Sequence, residues 1–169
     1  MQTAFDEAVT FLRSVGAMDR RHSGRRLDQH LIGTYEILKR WEVADHIAIA
    51  GLCHSVFDTK TYTANLDLKR SQLRAVIGGR AEKLVWRFRS IHLFERAIVV
   101  RRTPLISKLS DDALAIVLLG AANLMEQMDY MSTRKLGSAP HRYRKIASRF
   151  AEVLPQPALS DISTRLGTA

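Results

Sequence analysis

GRRLDQHLIGTYEILKRW (residues 24–41) and IAIAGLCHSVFDT (residues 47–59) decide how this chain folds. In the first stretch Leu27, Leu31, Tyr35, Ile37, Leu38 and Trp41 recur at helical intervals, so the spacing predicts an amphipathic helix with one apolar stripe. In the second, Ile47, Ile49, Ala50, Leu52 and Cys53 leave almost no polar face, which predicts a helix buried on all sides. That helix ends at His54-Ser55, and the polar residues 58–67 read as the loop where it opens to solvent. Two histidines therefore stand in unusual places. His30 lies in the first turn of the amphipathic helix and His54 closes the buried one. Imidazole ligates divalent metals when a carboxylate or a second imidazole converges on it. Taken alone, each is better explained as a core histidine hydrogen-bonded to backbone.

Helical periodicity extends in both directions. Ala4, Ala8, Phe11, Leu12 and Val15 mark a first helix ending near Gly16, followed by a basic loop over residues 19–26. Residues 69–77 read as a short helix stopped at Gly78-Gly79, and residues 80–90 as another with Leu84, Val85 and Phe88 inward. Residues 91–106 are ambiguous: Ala97 to Val100 suit an extended segment, but Pro104 and the flanking arginines leave it undetermined. Ser110-Asp111-Asp112 is a helix start, a cap followed by acids that suit the helix dipole. The long helix it opens runs to about Tyr130 and is mostly apolar through Gly120. Gly137 to Pro140 is a linker. A last amphipathic helix over residues 141–154 turns Tyr143, Ile146, Phe150 and Val153 inward, and Pro155 and Pro157 then break it. The expectation is an all-α, single-domain bundle of about seven helices over residues 1–154, with a short polar C-terminal tail at 155–169.

Composition narrows the class. The chain has 169 residues, 46% of them apolar, which suits one domain with a real core. Its longest apolar run, residues 113–119, falls far short of the roughly 20 residues of a membrane span, and the N-terminus does not read as a signal peptide. The expected compartment is the cytoplasm, with no membrane partner. One cysteine, Cys53, excludes an internal disulfide framework and a multi-cysteine zinc site. The formal net charge of +9 favours an anionic partner. The basic clusters carry no interleaved aromatics of the kind a single-strand stacking platform uses, so an anionic small molecule ranks ahead of nucleic acid. No coiled-coil seam is evident, which leaves a monomer or a homodimer.

The two quoted stretches resemble HD-domain phosphohydrolases. That superfamily carries a histidine on one helix, a His-Asp pair at the end of the next, and a distant aspartate on a later core helix. The basic loop His22-Ser23-Gly24-Arg25 and the pair Asp58-Thr59 also echo the ppGpp hydrolase branch. The resemblance is closer still to a family of uncharacterised HD-like proteins marked by HL-x-GT and AGL-x-HS, and it covers roughly residues 20–127. It implies an HD-like helical fold and a divalent metal (Mn, Fe or Zn) with His30 and His54 in ligand positions and His22 as a third candidate. The sequence departs from the pattern at two places. Ser55 stands where the aspartate of the His-Asp pair belongs, and the distal aspartate falls at Ala122 or Asn123.

Three functions follow as expectations. In the first, the chain is a metal-dependent phosphohydrolase acting on a phosphorylated or nucleotide-like small molecule. Asp58 orients water as the catalytic carboxylate, and Arg25 and Arg26 hold a phosphate. In the second, it is a degenerate HD-fold protein without catalysis, in which Ser55 and Asn123 join the histidines in binding an anionic small molecule or supporting a protein partner. The third is a basic helical protein associated with nucleic acid. Each residue also has a plain structural reading: Asp58 as a turn or cap residue, Arg25 and Arg26 as surface charge, and His22 as a solvated side chain between arginines.

Overall fold

The structure is a computed structural model that describes residues 3–22, 24–59, 62–93, 95 and 110–167, without the side chains of His22 and Thr133. Helix accounts for 69% of it. A capping box between Thr3 and Asp6 opens α1 (Ala4–Ser14). The expected basic loop contains a two-residue antiparallel ladder, β1 (Arg21–His22) with β2 (Arg25–Arg26). Gly24 turns this ladder at φ 96°, a backbone region that favours glycine. Next come α2 (Leu27–Arg40) and α3 (Asp45–Cys53). Six consecutive residues of α3, Ala48 to Cys53, are buried, as its lack of a polar face predicts.

α4 (Arg70–Phe88) is the pair of helices expected on either side of the glycines, joined across a kink. Gly78 sits there at φ 78° and ψ 162°, which interrupts the ladder of i to i−4 bonds. α5 (Asp111–Met128) is the long core helix. Asp112 at its start pairs with Lys83 at 2.6 Å and Arg87 at 2.9 Å, tying α5 to α4. A single-turn α6 (Thr133–Leu136) leads into α7 (Ala139–Arg149). α7 stops before Val153, which is therefore partly exposed rather than inward. The ambiguous segment at Ala97 to Val100 and Pro104 lies outside the described residues.

The C-terminal residues differ from the expected polar tail. They form α8 (Gln156–Leu166), which buries Ala158, Ile162 and Leu166 and packs on α7 and α5. Pro157 falls in the first turn, where a missing N–H costs nothing and a fixed φ favours the helix. The prolines therefore start a helix and do not end one, since α7 already stops at Arg149. Trp41 Nε1 donates to Asp161 at 2.9 Å, joining α8 to the end of α2.

α2 packs chiefly on α3 and α5, and α3 also lies against α4. The core runs through Leu12, Leu27, Leu31, Leu38, Leu52, Leu119 and Met125, each no more than 2% exposed. α7 approaches α5 closely because Gly120 leaves room for Tyr143: a Cβ at position 120 would fall on the Tyr143 hydroxyl. Gly120→Ala is therefore expected to cost about 2 kcal/mol or more through overpacking, read as a lowered melting midpoint. An unchanged midpoint would show that Tyr143 moves aside freely. Among the described residues no helix is long and apolar enough to cross a membrane.

Candidate functional site

Three helices meet at the two histidines. α2 supplies His30 from its first turn, α3 supplies His54 from its C-cap, and α5 supplies Asn123 and Glu126. His30 is 0% and His54 1% exposed. Their Nε2 atoms lie 3.0 Å apart. His54 Nδ1 is 2.7 Å from the Gly51 carbonyl, which can only accept, so His54 carries its proton on Nδ1 and presents a lone pair at Nε2. A proton on His30 Nε2 would donate to it.

The other side of His30 is equally committed. Its Nδ1 abuts Glu126 Oε2. The Tyr130 hydroxyl donates to that carboxylate oxygen at 3.0 Å and stands 3.2 Å from the ring nitrogen. Arg25 Nη2 pairs with Glu126 Oε1 at 2.7 Å, and its guanidinium lies 4.3 Å above the Tyr130 ring. Burial first, and the Arg25 charge second, hold His30 far below the ordinary imidazole range, at about 3, while Asn123 favours the charged form by hydrogen bonding. The balance leaves the ring neutral at pH 7, with a single proton that either Nε2 gives to His54 or Nδ1 gives to Glu126. Burial, assisted by Glu126, raises the Tyr130 phenol, so it remains a donor.

Local sequence explains this geometry. Gly33 clears the space for Glu126: a Cβ there would lie 2.9 Å from Glu126 Cγ and 3.1 Å from Oε1. Thr34 donates its hydroxyl to the His30 carbonyl at 2.9 Å, within α2. The HL-x-GT stretch is thus a histidine, a vacancy for its carboxylate partner, and a bond that fastens the turn.

Beside the pair lies a cavity of about 320 Å³. Ser55 and Asn123 line it, as does Phe88, whose ring meets His54 edge-on at 4.9 Å. Gln127 joins them and donates to Asn123 at 3.4 Å. Among the described residues, the ionisable side chains of the wall are Arg89, His92, Lys135 and the phenol Tyr62; none of these is a carboxylate. No described carboxylate forms an ion pair with Arg89, His92 or Lys135.

The structure therefore brings His30, His54, Ser55 and Asn123 together. It does not bring the remaining candidates to the cavity wall. Asp58 Oδ1 accepts from the Ala64 and Asn65 amides at 2.8 and 3.4 Å, and the residue lines a separate cleft. These two bonds brace the loop. Arg26 is exposed and grips Asp28 at 2.8 Å, while Arg25 is committed to Glu126. The His22 side chain lies outside the described residues. Cys53 is fully buried and burial pushes its thiol up to about 12, which suits packing and not nucleophilic attack. Glu126, Tyr130, Arg89, His92 and Lys135 escape the sequence reading. The signal for two of them was present: Asn123, Glu126, Gln127 and Tyr130 fall at i, i+3, i+4 and i+7, a polar stripe on an apolar helix.

Residues 11–92 match the family described as a domain of unknown function (DUF6817). The matched span holds His30, His54 and Ser55, and ends before Asn123 and Glu126. No curated protein and no solved structure matches the chain.

The metal that the HD resemblance implies can be tested against this donor set. If His30 carried its proton on Nδ1 toward Glu126, both Nε2 lone pairs would face each other, as ligating imidazoles do when a neighbouring acceptor fixes the far nitrogen. The rest of the shell does not match. Ser55 and Asn123 offer a neutral hydroxyl and amide in the positions where the HD pattern places charge-neutralising carboxylates. Glu126 is already shared among Arg25, Tyr130 and His30, and the cavity wall adds positive charge. Among the described residues no group of three or more His, Cys, Asp or Glu side chains is placed to hold a metal ion. The residues do not fit a resident divalent metal.

Proposed function

We propose that this chain is an HD-like protein that binds an anionic, phosphate-bearing small molecule and does not catalyse metal-dependent hydrolysis. One observation carries the reading. The cavity at the histidine pair is lined by Arg89, His92 and Lys135 with Ser55, Asn123 and Gln127, and by no carboxylate among the described residues. Arg89 and Lys135, cations that pair with no described carboxylate, attract an oxyanion, and neutral donors beside them complete its hydrogen bonds. The His30–His54–Glu126 network serves as the rigid floor. It orients Asn123 and keeps the three helices in register.

The test is a calorimetric titration of the full chain with inorganic pyrophosphate, repeated on Lys135→Ala. Lys135 is exposed at the cavity mouth, so its removal leaves the fold intact. Stoichiometric binding is expected, weakened about fivefold to tenfold in the variant and weakened by added salt. The reading fails if pyrophosphate does not bind, or if the protein hydrolyses ppGpp or a nucleotide monoester when Mn²⁺ is supplied.

A further inference from the structure

Arg89 belongs to two cavities at once. It lines the cavity beside the histidines and also the neighbouring cleft formed by Phe57, Asp58, Leu66 and Trp86. Its Nε donates to the Asp58 carbonyl at 2.9 Å, and its guanidinium lies 4.3 Å above the Trp86 ring. The Trp86 ring is itself fixed. Arg70 stacks on it at 4.4 Å and is anchored by the buried Glu82, and Phe57 meets it edge-on at 5.5 Å. Arg89 is therefore held in one orientation by a carbonyl and an aromatic face. Its two Nη groups meet no hydrogen-bond partner among the described residues.

An arginine in this state is a prepared fork. Stacking and the Nε bond remove rotamer freedom before any ligand arrives, which lessens the entropy lost on binding. The planar pair of Nη groups matches two oxygens of a phosphate. Arg25 and Arg26 lack this freedom, since Glu126 and Asp28 already occupy them. Lys135 is flexible and supplies charge without a fixed direction.

We propose that Arg89 is the residue that grips the oxyanion in the cavity through its Nη pair, and that Trp86 is its positioning residue. The inference rests on the anion-binding reading of that cavity and adds which cation decides geometry. Trp86, exposed on the far side of Arg89, then also reports binding, because a ligand that draws the guanidinium changes the environment of the indole.

The experiment titrates the intact chain with inorganic pyrophosphate and follows heat and tryptophan emission. Wild type is compared with Arg89→Lys, Arg89→Ala, Trp86→Leu and Trp86→Phe. Arg89→Ala should weaken binding about tenfold or more, and Arg89→Lys nearly as much, since lysine keeps the charge and loses the fork. Trp86→Leu should weaken it severalfold, and Trp86→Phe should restore most of the loss by offering another aromatic face. The emission change on saturation should vanish in Arg89→Ala. If pyrophosphate binds wild type and Lys135→Ala weakens it, but Arg89→Lys binds as wild type, this inference is overturned while the cavity reading stands. If wild type does not bind, both fall. Equal losses in Trp86→Leu and Trp86→Phe would overturn the positioning role of Trp86.

Discussion

The double variant Ser55→Asp, Asn123→Asp should bind one equivalent of Mn²⁺ or Zn²⁺, where the proposed anion pocket of the native chain is expected to hold none tightly. His30, His54, Ser55 and Asn123 already converge: the two Nε2 atoms lie 3.0 Å apart and the other two residues line the adjoining cavity. What is missing is negative charge. Asn123→Asp is nearly isosteric, and Ser55→Asp adds length at a residue 3% exposed that already borders open space. Two carboxylates would supply two hard oxygen donors and neutralise a divalent ion. Without metal they are buried and crowded, so the apo variant should be less stable than the native chain by roughly 2–4 kcal/mol. Metal at about a thousand times its Kd should return about 4 kcal/mol by linkage. Elemental analysis and melting curves with and without Mn²⁺ check this. A folded double variant that ignores metal would show that the four positions do not form one coordination sphere.

Replacement of Glu126 should be the most damaging single change at the site, and the choice of replacement is informative. Glu126 is 4% exposed and satisfies Arg25, Tyr130 and His30 together. Glu126→Ala strands the Arg25 guanidinium and the His30 Nδ1 and opens a void, so a loss of about 3–5 kcal/mol is expected. That is a large part of the stability of an ordinary domain. Glu126→Gln keeps the shape. Its carbonyl can accept from Arg25 and its amide can donate to Nδ1 of a neutral His30, so the expected loss is only about 1–2 kcal/mol. Denaturant unfolding of both variants checks the ordering. Equal losses would show that His30 is held as the imidazolium and needs a true carboxylate.

Much of this could be read from residues in order, because helices announce themselves locally. The periodicity of 24–41 and the unbroken apolar face of 47–53 placed α2 and α3, and Ser110-Asp111-Asp112 placed the start of α5. The convergence of His30 with His54 was legible as a pattern. Its meaning was not, because the partner that decides it lies 96 residues from His30. Nothing local says that Gly33 is small so that Glu126 can reach the ring. Arg25 and Arg26 look alike in sequence, yet one closes a buried ion pair and the other holds an exposed neighbour. Asp58 read equally as a reactive carboxylate and as a turn residue, and the amides its Oδ1 accepts from, Ala64 and Asn65, come from residues six and seven positions on. The proline pair at 155 and 157 read as an ending because a proline in the first turn of a helix carries the same letter as one that breaks it. Arg89 was not singled out among the basic clusters because its distinguishing feature, an aromatic face beneath it and a carbonyl at Nε, exists only once α4 packs against the loop after α3.

The most direct measurement is elemental analysis of the native chain purified without chelator, with His54→Ala beside it. An anion pocket built on a hydrogen-bonded histidine pair predicts Mn, Fe and Zn well below one equivalent, unchanged by the substitution. One equivalent of any of them in the native chain, lost in His54→Ala, would contradict it and make the pair a metal centre.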